Sequence, residues 1–408
     1  MPTFQACVAV LGTLLIIGAL VSGLAQRSVL SLTALFVIAG FLVGDGALHW
    51  ISFRAQSGFV EDLAFAALIV ILFRDGLEVD GEMVRRQWRL PLRKLALAMP
   101  ITALIIAAAA RLLIGLSWTE SFLLGALLSP TDPVLTSSIV TNPRVPELVR
   151  HSLNLESGLN DGLALPAVLT FLAALRPNEH FVWWRYILQD VGLGLLFGLA
   201  CGWVASMIMP RSEGTRGIPA HQKSLYALGV AFATYGVTVL TPRGNGFIAV
   251  FVAAIVLGVR RPDLRVHFEQ RADEIVEIVK LGIFLVFGSL LTLHALLAEG
   301  WGAIGLVLLT LVLARPLAVC LALIGTRTDF KTRLFMGWFG PKGVATMTFS
   351  LLILDQHVKA GGEIFDLAAL VVFCSVIVHG LSDTPGAEWI ARHSTSVAQP
   401  AEQRAISP

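Results

Sequence analysis

Three short segments place ionisable and helix-breaking residues inside sequence that is otherwise apolar. One is Glu156-Ser157-Gly158-Leu159-Asn160-Asp161-Gly162, preceded by His151. The second is Ser129-Pro130-Thr131-Asp132-Pro133, and the third is Gly337-Trp338-Phe339-Gly340-Pro341-Lys342-Gly343, with Arg315 in the apolar run before it. A carboxylate beside a hydroxyl supplies hard oxygen ligands. It suits Na⁺ or K⁺ when ionised and takes a proton otherwise. One site that cannot hold both at once makes exchange of the two automatic. The four cysteines (Cys7, Cys201, Cys320, Cys374) stand singly in apolar runs, with neither disulfide nor metal-ligand spacing, and no cofactor is expected.

The spacing bears on which groups meet. On a helix Ser157 and Asp161 share a face, and so do Glu156 and Asn160, about 100° round. Asp161 is therefore assigned to a cavity and Glu156 to a structural ion pair, with Arg315 as its partner. Pro130 and Pro133 remove two backbone donors and disfavour helix at the residues before them, so the helix is expected to open there and free carbonyls for a ligand. Gly340-Pro341 interrupts a second helix in the same way. Irregular backbone at membrane depth is tolerated only inside protein or beside water, and a matched pair of Gly/Pro-broken helices points to a transporter site near the midplane. Asp132, Asp161, Arg315 and Lys342 come to one level from four helices. Four unpaired charges there would be intolerable, so pairing or solvation is required.

The elements that position these groups are membrane helices. Hydrophobic residues make up 56% of the 408-residue chain, charged residues 14%, and mean hydropathy is +0.77. A soluble core could not hide that much apolar surface. Apolar runs of roughly twenty residues recur throughout, without the short alternating strands of a membrane barrel. The expectation is an all-α membrane protein of about thirteen spans: 4–25, 29–48, 60–80, 92–114, 118–140, 151–175, 187–209, 223–241, 246–259, 274–297, 302–325, 333–354 and 365–383. The first run is too long for a signal-peptide core and has no basic residue before it, so it counts as a span. The broken helices are the fifth and twelfth spans. The odd offset sends them across in opposite senses, as inverted repeats require. Alternate connections are rich in Lys and Arg: Arg85, Arg86, Arg89, Arg93 and Lys94; Arg144 and Arg150; Arg211, Arg216 and Lys223; Arg260, Arg261, Arg265 and Arg271; Arg327, Lys331 and Arg333. The positive-inside rule makes these cytoplasmic, with the amino terminus outside and the carboxyl terminus inside. A transmembrane domain over 1–385 and a short disordered tail over 386–408 follow. Trp118, Trp183, Trp184 and Trp301 fall at span boundaries and read as interfacial anchors, while His151, His294 and His379 lie near span ends as packing or interfacial residues.

The third span ends Leu72-Phe73-Arg74-Asp75-Gly76-Leu77-Glu78-Val79-Asp80. Asp75 is a candidate for an inward vestibule, and an ordinary interfacial acid is the equal alternative. Two other classes compete. A cation channel favours repeated, symmetric pore motifs, whereas this chain has one buried acid motif and paired broken helices. An intramembrane hydrolase using Ser157 with His151 would place them off register on one helix, with no oxyanion motif.

The segments Thr131-Asp132-Pro133, Glu156 to Gly162 and Phe339-Gly340-Pro341-Lys342-Gly343 resemble the monovalent cation:proton antiporter family, in particular the bacterial NhaP-like sodium–proton exchangers. The resemblance runs to about residue 385. It implies two crossed, unwound helices in a core (about 92–175 and 302–383) beside scaffold helices that form a homodimer in the bacterial inner membrane. Partners are then Na⁺ or K⁺, H⁺ and membrane lipid, with no nucleic acid. Asp161, with Asn160, Ser157, Thr131 and Asp132 about it, becomes the ion- and proton-binding site, with the cation on Asp161, Ser157 and Thr131. Asp132 and Lys342 face the crossing, and Glu156 pairs with Arg315. In the family an Asn before the Asp accompanies electroneutral exchange, and an Asp-Asp pair accompanies electrogenic exchange, so Asn160 implies one-for-one exchange. The third-span acid is usually placed differently from Arg74-Asp75. No sensing domain follows the membrane part, so regulation is expected to be intrinsic.

Overall fold

The computed structural model describes residues 32–51, 58–79, 89–132, 142–176, 181–210, 218–240, 244–271, 273–292, 300–326 and 328–393, with a few single positions besides. Nearly all of the expected first span lies outside the described residues. So do Cys7, Arg85, Arg86, Pro133, Arg211, Arg216, His294 and Arg327.

Among the described residues the chain is all helix, without strands. The helices are α1 (Leu32–Val43), α2 (Gly58–Leu77), α3 (Arg89–Ile114), α4 (Trp118–Leu128), α5 (Glu147–Leu175), α6 (Trp183–Ile208) and α7 (Ala220–Leu240). They continue with α8 (Gly246–Arg260), α9 (Pro262–Arg271), α10 (Asp273–Leu290), α11 (Gly300–Ala322), α12 (Phe330–Trp338), α13 (Val344–Asp355) and α14 (Gly361–His393). Six of these are long and apolar enough to cross a membrane: α3, α5, α6, α7, α11 and α14. Every expected span from the second onward coincides with a described helix; the twelfth is interrupted, and in the fifth α4 ends at Leu128, with most of the remainder outside the described residues. The short α9 is an addition within a connection read from sequence as charged loop.

Local sequence explains the boundaries. α3 stops at Gly115, whose φ of 93° lets its N–H turn back to the Ala110 carbonyl at 3.2 Å. Two residues on, Ser117 and Glu120 form a reciprocal capping box that starts α4. α6 carries Gly194, Gly198 and Gly202 on one face. A methyl on any of them would stand 2.9, 2.6 or 2.6 Å from the Asn245, Ala249 or Ala253 carbonyl at α8, so small residues permit backbone-to-backbone packing. The opposite face presents Leu195, Leu196 and Leu199, which suits a lipid surface and no aqueous one.

The last helix runs past the expected boundary at 385. Pro385 sits within α14, and Ala387 and Ile390 beyond it are buried against Phe335, Met336 and Phe339. The first residues of the expected tail are therefore packed helix, and 394–408 lie outside the described residues.

Candidate functional site

The two broken helices meet backbone to backbone. α4 ends at Leu128: Ser129 keeps helical φ/ψ, but Pro130 has no N–H to continue the ladder, and α12 likewise ends at Trp338, just before Gly340-Pro341. The Asp132 amide donates to the Pro341 carbonyl at 2.9 Å. A methyl at Gly343 would overlap Asp132, and one at Gly340 would overlap the Arg315 guanidinium, so glycine is a steric requirement at both points. Thr346 ties the halves again by donating its hydroxyl to the Leu127 carbonyl at 3.2 Å.

The carbonyls freed by the prolines are not vacant, as the sequence reading had them. Fully buried Lys342 donates its ammonium to the Pro130 carbonyl at 3.2 Å and, at a long 3.5 Å, to that of Ser129. Asp132 is likewise engaged: its Oδ2 accepts the Val344 amide at 3.2 Å, capping the start of α13 where the helix dipole favours a negative charge. His379 is buried at the same crossing, with Nε2 3.0 Å from the Trp338 carbonyl, and packs as expected.

α5 passes beside this crossing. Ser157 Oγ donates to the Thr131 carbonyl at 2.9 Å, and Asn160 Nδ2 donates to the same oxygen at 2.8 Å and to Thr131 Oγ1 at 2.9 Å. Both lone pairs of that carbonyl are thus used. Asn160 acts here as a clamp on the unwound segment. Asp161, one residue on, is buried and lines the same cavity as Asp75 of α2, which is buried as well. The cavity is lined by Arg74 and Asp75 from α2 and Glu78 just after it, Asp132, Asn154, Ser157 and Asp161 from the crossing and α5, and Lys280 from α10. Its open volume is about 10 Å³, near the minimum for a single water-sized sphere. Arg74 is held by Glu78 at 2.6 Å and touches Asp75 at 3.3 Å.

Behind the cavity sits a second charge cluster. Arg315 Nη1 meets Glu156 Oε1 at 2.8 Å, the expected pair. Lys94 of α3 meets Glu156 Oε2 at 2.6 Å from outside good hydrogen-bond direction, so charge attraction holds this contact. Lys94 also donates to the Ser152 carbonyl at 3.1 Å. Lys94 had been counted among cytoplasmic loop cations. It is completely buried instead, because α3 begins at Arg89 and turns Lys94 inward. Sequence reasoning also missed Lys280, Glu78 and Asn154. Lys280 carried a signal, as a base with apolar sequence after it in a span that opens with Asp273, Glu274 and Glu277.

The chain matches the family model for the sodium/hydrogen exchanger, transmembrane, over residues 12–389. It is 28% identical to the K(+)/H(+) antiporter NhaP of Alkalimonas amylolytica, covering 96% of this chain and 68% of that one. It is 26% identical to the K(+)/H(+) antiporter NhaP2 of Shewanella sp. strain ANA-3, covering 91% and 64%. The chain thus spans about two thirds of the length of these relatives. The sodium proton antiporter MjNhaP1 of Methanocaldococcus jannaschii shares its fold, with a TM-score of 0.80 over 97% of this chain and 99% of that one at 20% identity. The family is one of secondary transporters rather than enzymes, and its members are multi-pass membrane proteins. Because the matched segment takes in the crossing, the cavity and the cluster behind it, the chain belongs to the sodium/hydrogen exchanger family.

Proposed function

We propose that the protein exchanges a monovalent cation, Na⁺ or K⁺, for H⁺ by alternating access, with Asp161 as the carrier carboxylate. The observation that carries this reading is that Asp161 and Asp75, both buried, line one cavity of single-ion size. Two carboxyl groups facing so small a buried space need a proton or a cation, since both cannot stand ionised and alone. Ser157 and Thr131 offer further oxygens once one of the hydrogen bonds on the Thr131 carbonyl is released. Lys342 is committed to carbonyls of the crossing, which favours a fixed structural charge over a second proton carrier, and hence one-for-one, electroneutral exchange. Relatives named for K⁺ and for Na⁺ keep both cations in view, because both use the same oxygens.

In this reading α3–α5 and α11–α14 form the moving core, and the other helices a scaffold through which two copies pair. The membrane is a bacterial inner membrane, with the amino terminus outside and the carboxyl terminus inside, supported by the Lys/Arg-rich connections. The test is transport in proteoliposomes loaded with a pH dye. Wild type should dissipate a pH gradient on adding Na⁺ or K⁺ without sustained current, and Asp161→Asn should reach the membrane folded yet transport nothing. Gradient dissipation by Asp161→Asn would remove Asp161 as carrier.

A further inference from the structure

Lys280 lies midway along α10, which packs against α2 and α13, and it is 7% exposed. It lines the same cavity as Asp75, Asp132 and Asp161. Among the described residues it makes no ion pair or hydrogen bond at contact distance, yet its charge acts on both Asp75 and Asp161.

The other charges facing that cavity are already committed. Arg74 is held by Glu78, and Asp132 caps α13. Arg74 also reaches Asp75 at 3.3 Å, so among the described cavity residues Lys280 is the cation without an ion pair. Asp75, Glu78 and Asp161 against Arg74 and Lys280 leave one net negative charge, and a single proton or a single Na⁺ or K⁺ neutralises it. A lone buried Lys without a paired acid is costly, so its place is held by the field of the carboxylates it faces.

We infer that Lys280 is a tethered counter-cation that competes electrostatically with the transported ion and so sets the site's affinity for it. The inference rests on the exchange reading above and concerns the same site. Removing the charge leaves Arg74, shared between Glu78 and Asp75, as the remaining cation lining the cavity, and the added net negative charge strengthens cation binding. Acting from within the same cavity through an effective dielectric of ~20, a unit charge alters binding by about tenfold or more.

The experiment measures apparent KM for Na⁺ and K⁺ at alkaline pH, where protons compete least, in proteoliposomes of wild type, Lys280→Gln and Lys280→Arg. Lys280→Gln should lower KM about tenfold or more, with kcat unchanged or reduced because the ion leaves more slowly. Lys280→Arg keeps the charge and should stay near wild type. Cation-induced thermal stabilisation of the purified proteins reads binding without turnover and should shift to lower concentration in Lys280→Gln alone. If Lys280→Gln does not fold, Lys280→Met, which retains the buried stem, takes its place in both assays. An unchanged or raised KM in the neutral variant, or Lys280→Arg behaving as Lys280→Gln does, overturns the inference. A wild type that exchanges neither cation would instead overturn the function proposed above, so the two failures are separable.

Discussion

Replacing Glu156 by Gln should be among the most damaging single changes in the protein, and Lys94→Met should partly repair it. Among the described residues Glu156 is the acid in contact with Lys94 and Arg315, at 2.6 and 2.8 Å, and all three side chains are buried. Neutralising it leaves two cations facing each other out of water. Breaking one buried pair costs about 3–5 kcal/mol, and the mutual repulsion puts this variant at the upper end of that range. Lys94→Met alone leaves the Glu156–Arg315 pair intact and gives up Lys94's contact with Glu156 and its hydrogen bond to the Ser152 carbonyl, a smaller loss of roughly 1–3 kcal/mol because Glu156 keeps a cation. In the double variant one cation remains in place of two, so Lys94→Met should recover a substantial part of what Glu156→Gln lost. Removing Glu156 and Arg315 together, by contrast, strands Lys94 and should recover less than a simple pair would. Thermal unfolding of the four purified variants in one detergent, with membrane yield alongside, gives the order directly. If Lys94→Met costs as much as Glu156→Gln, or fails to improve it, the cluster is not organised around the Glu156 charge.

Two further outcomes follow from the crossing and its flanks. Gly343→Ala must push Asp132 off the start of α13; it should abolish transport and lower the unfolding temperature markedly, whereas Gly362→Ala, with open space around it, should do neither. Asp329 caps α12 by accepting from the hydroxyl and amide of Thr332, and those bonds hold its carboxyl below the ordinary value. A depressed folded value means the stabilisation is present above the unfolded pKa of about 3.9 and is lost as pH falls through the folded one. Asp329→Ala should therefore cost about 1 kcal/mol near neutrality, with the melting difference from wild type shrinking in strong acid; a difference that is constant with pH would contradict the cap.

The sequence by itself determined the membrane class, the helix register and the two interruptions. These rest on local physics: apolar run length is set by bilayer thickness, and Pro130 and Pro341 each remove a backbone donor beside further helix-breaking residues (Pro133 and Gly340). It also singled out Asp132, Asp161, Glu156, Arg315 and Lys342, because a charge in the middle of an apolar run is conspicuous at once. Tertiary structure decided what each charge does. Lys94 and Asp75 stand near span ends, where water and a protein interior are both open to a charge, and only packing of α3 and α2 turned them inward. Lys280 follows three acids in a span whose composition is ambiguous, and nothing local says which of its faces meets α2. The carbonyls freed at Ser129 and Pro130 were legible as unsatisfied groups, but their partner, Lys342, stands more than two hundred residues away in the chain. Electrostatic partnership of buried groups depends on distances of a few ångströms between helices remote in sequence, and those distances are fixed only when the helices pack.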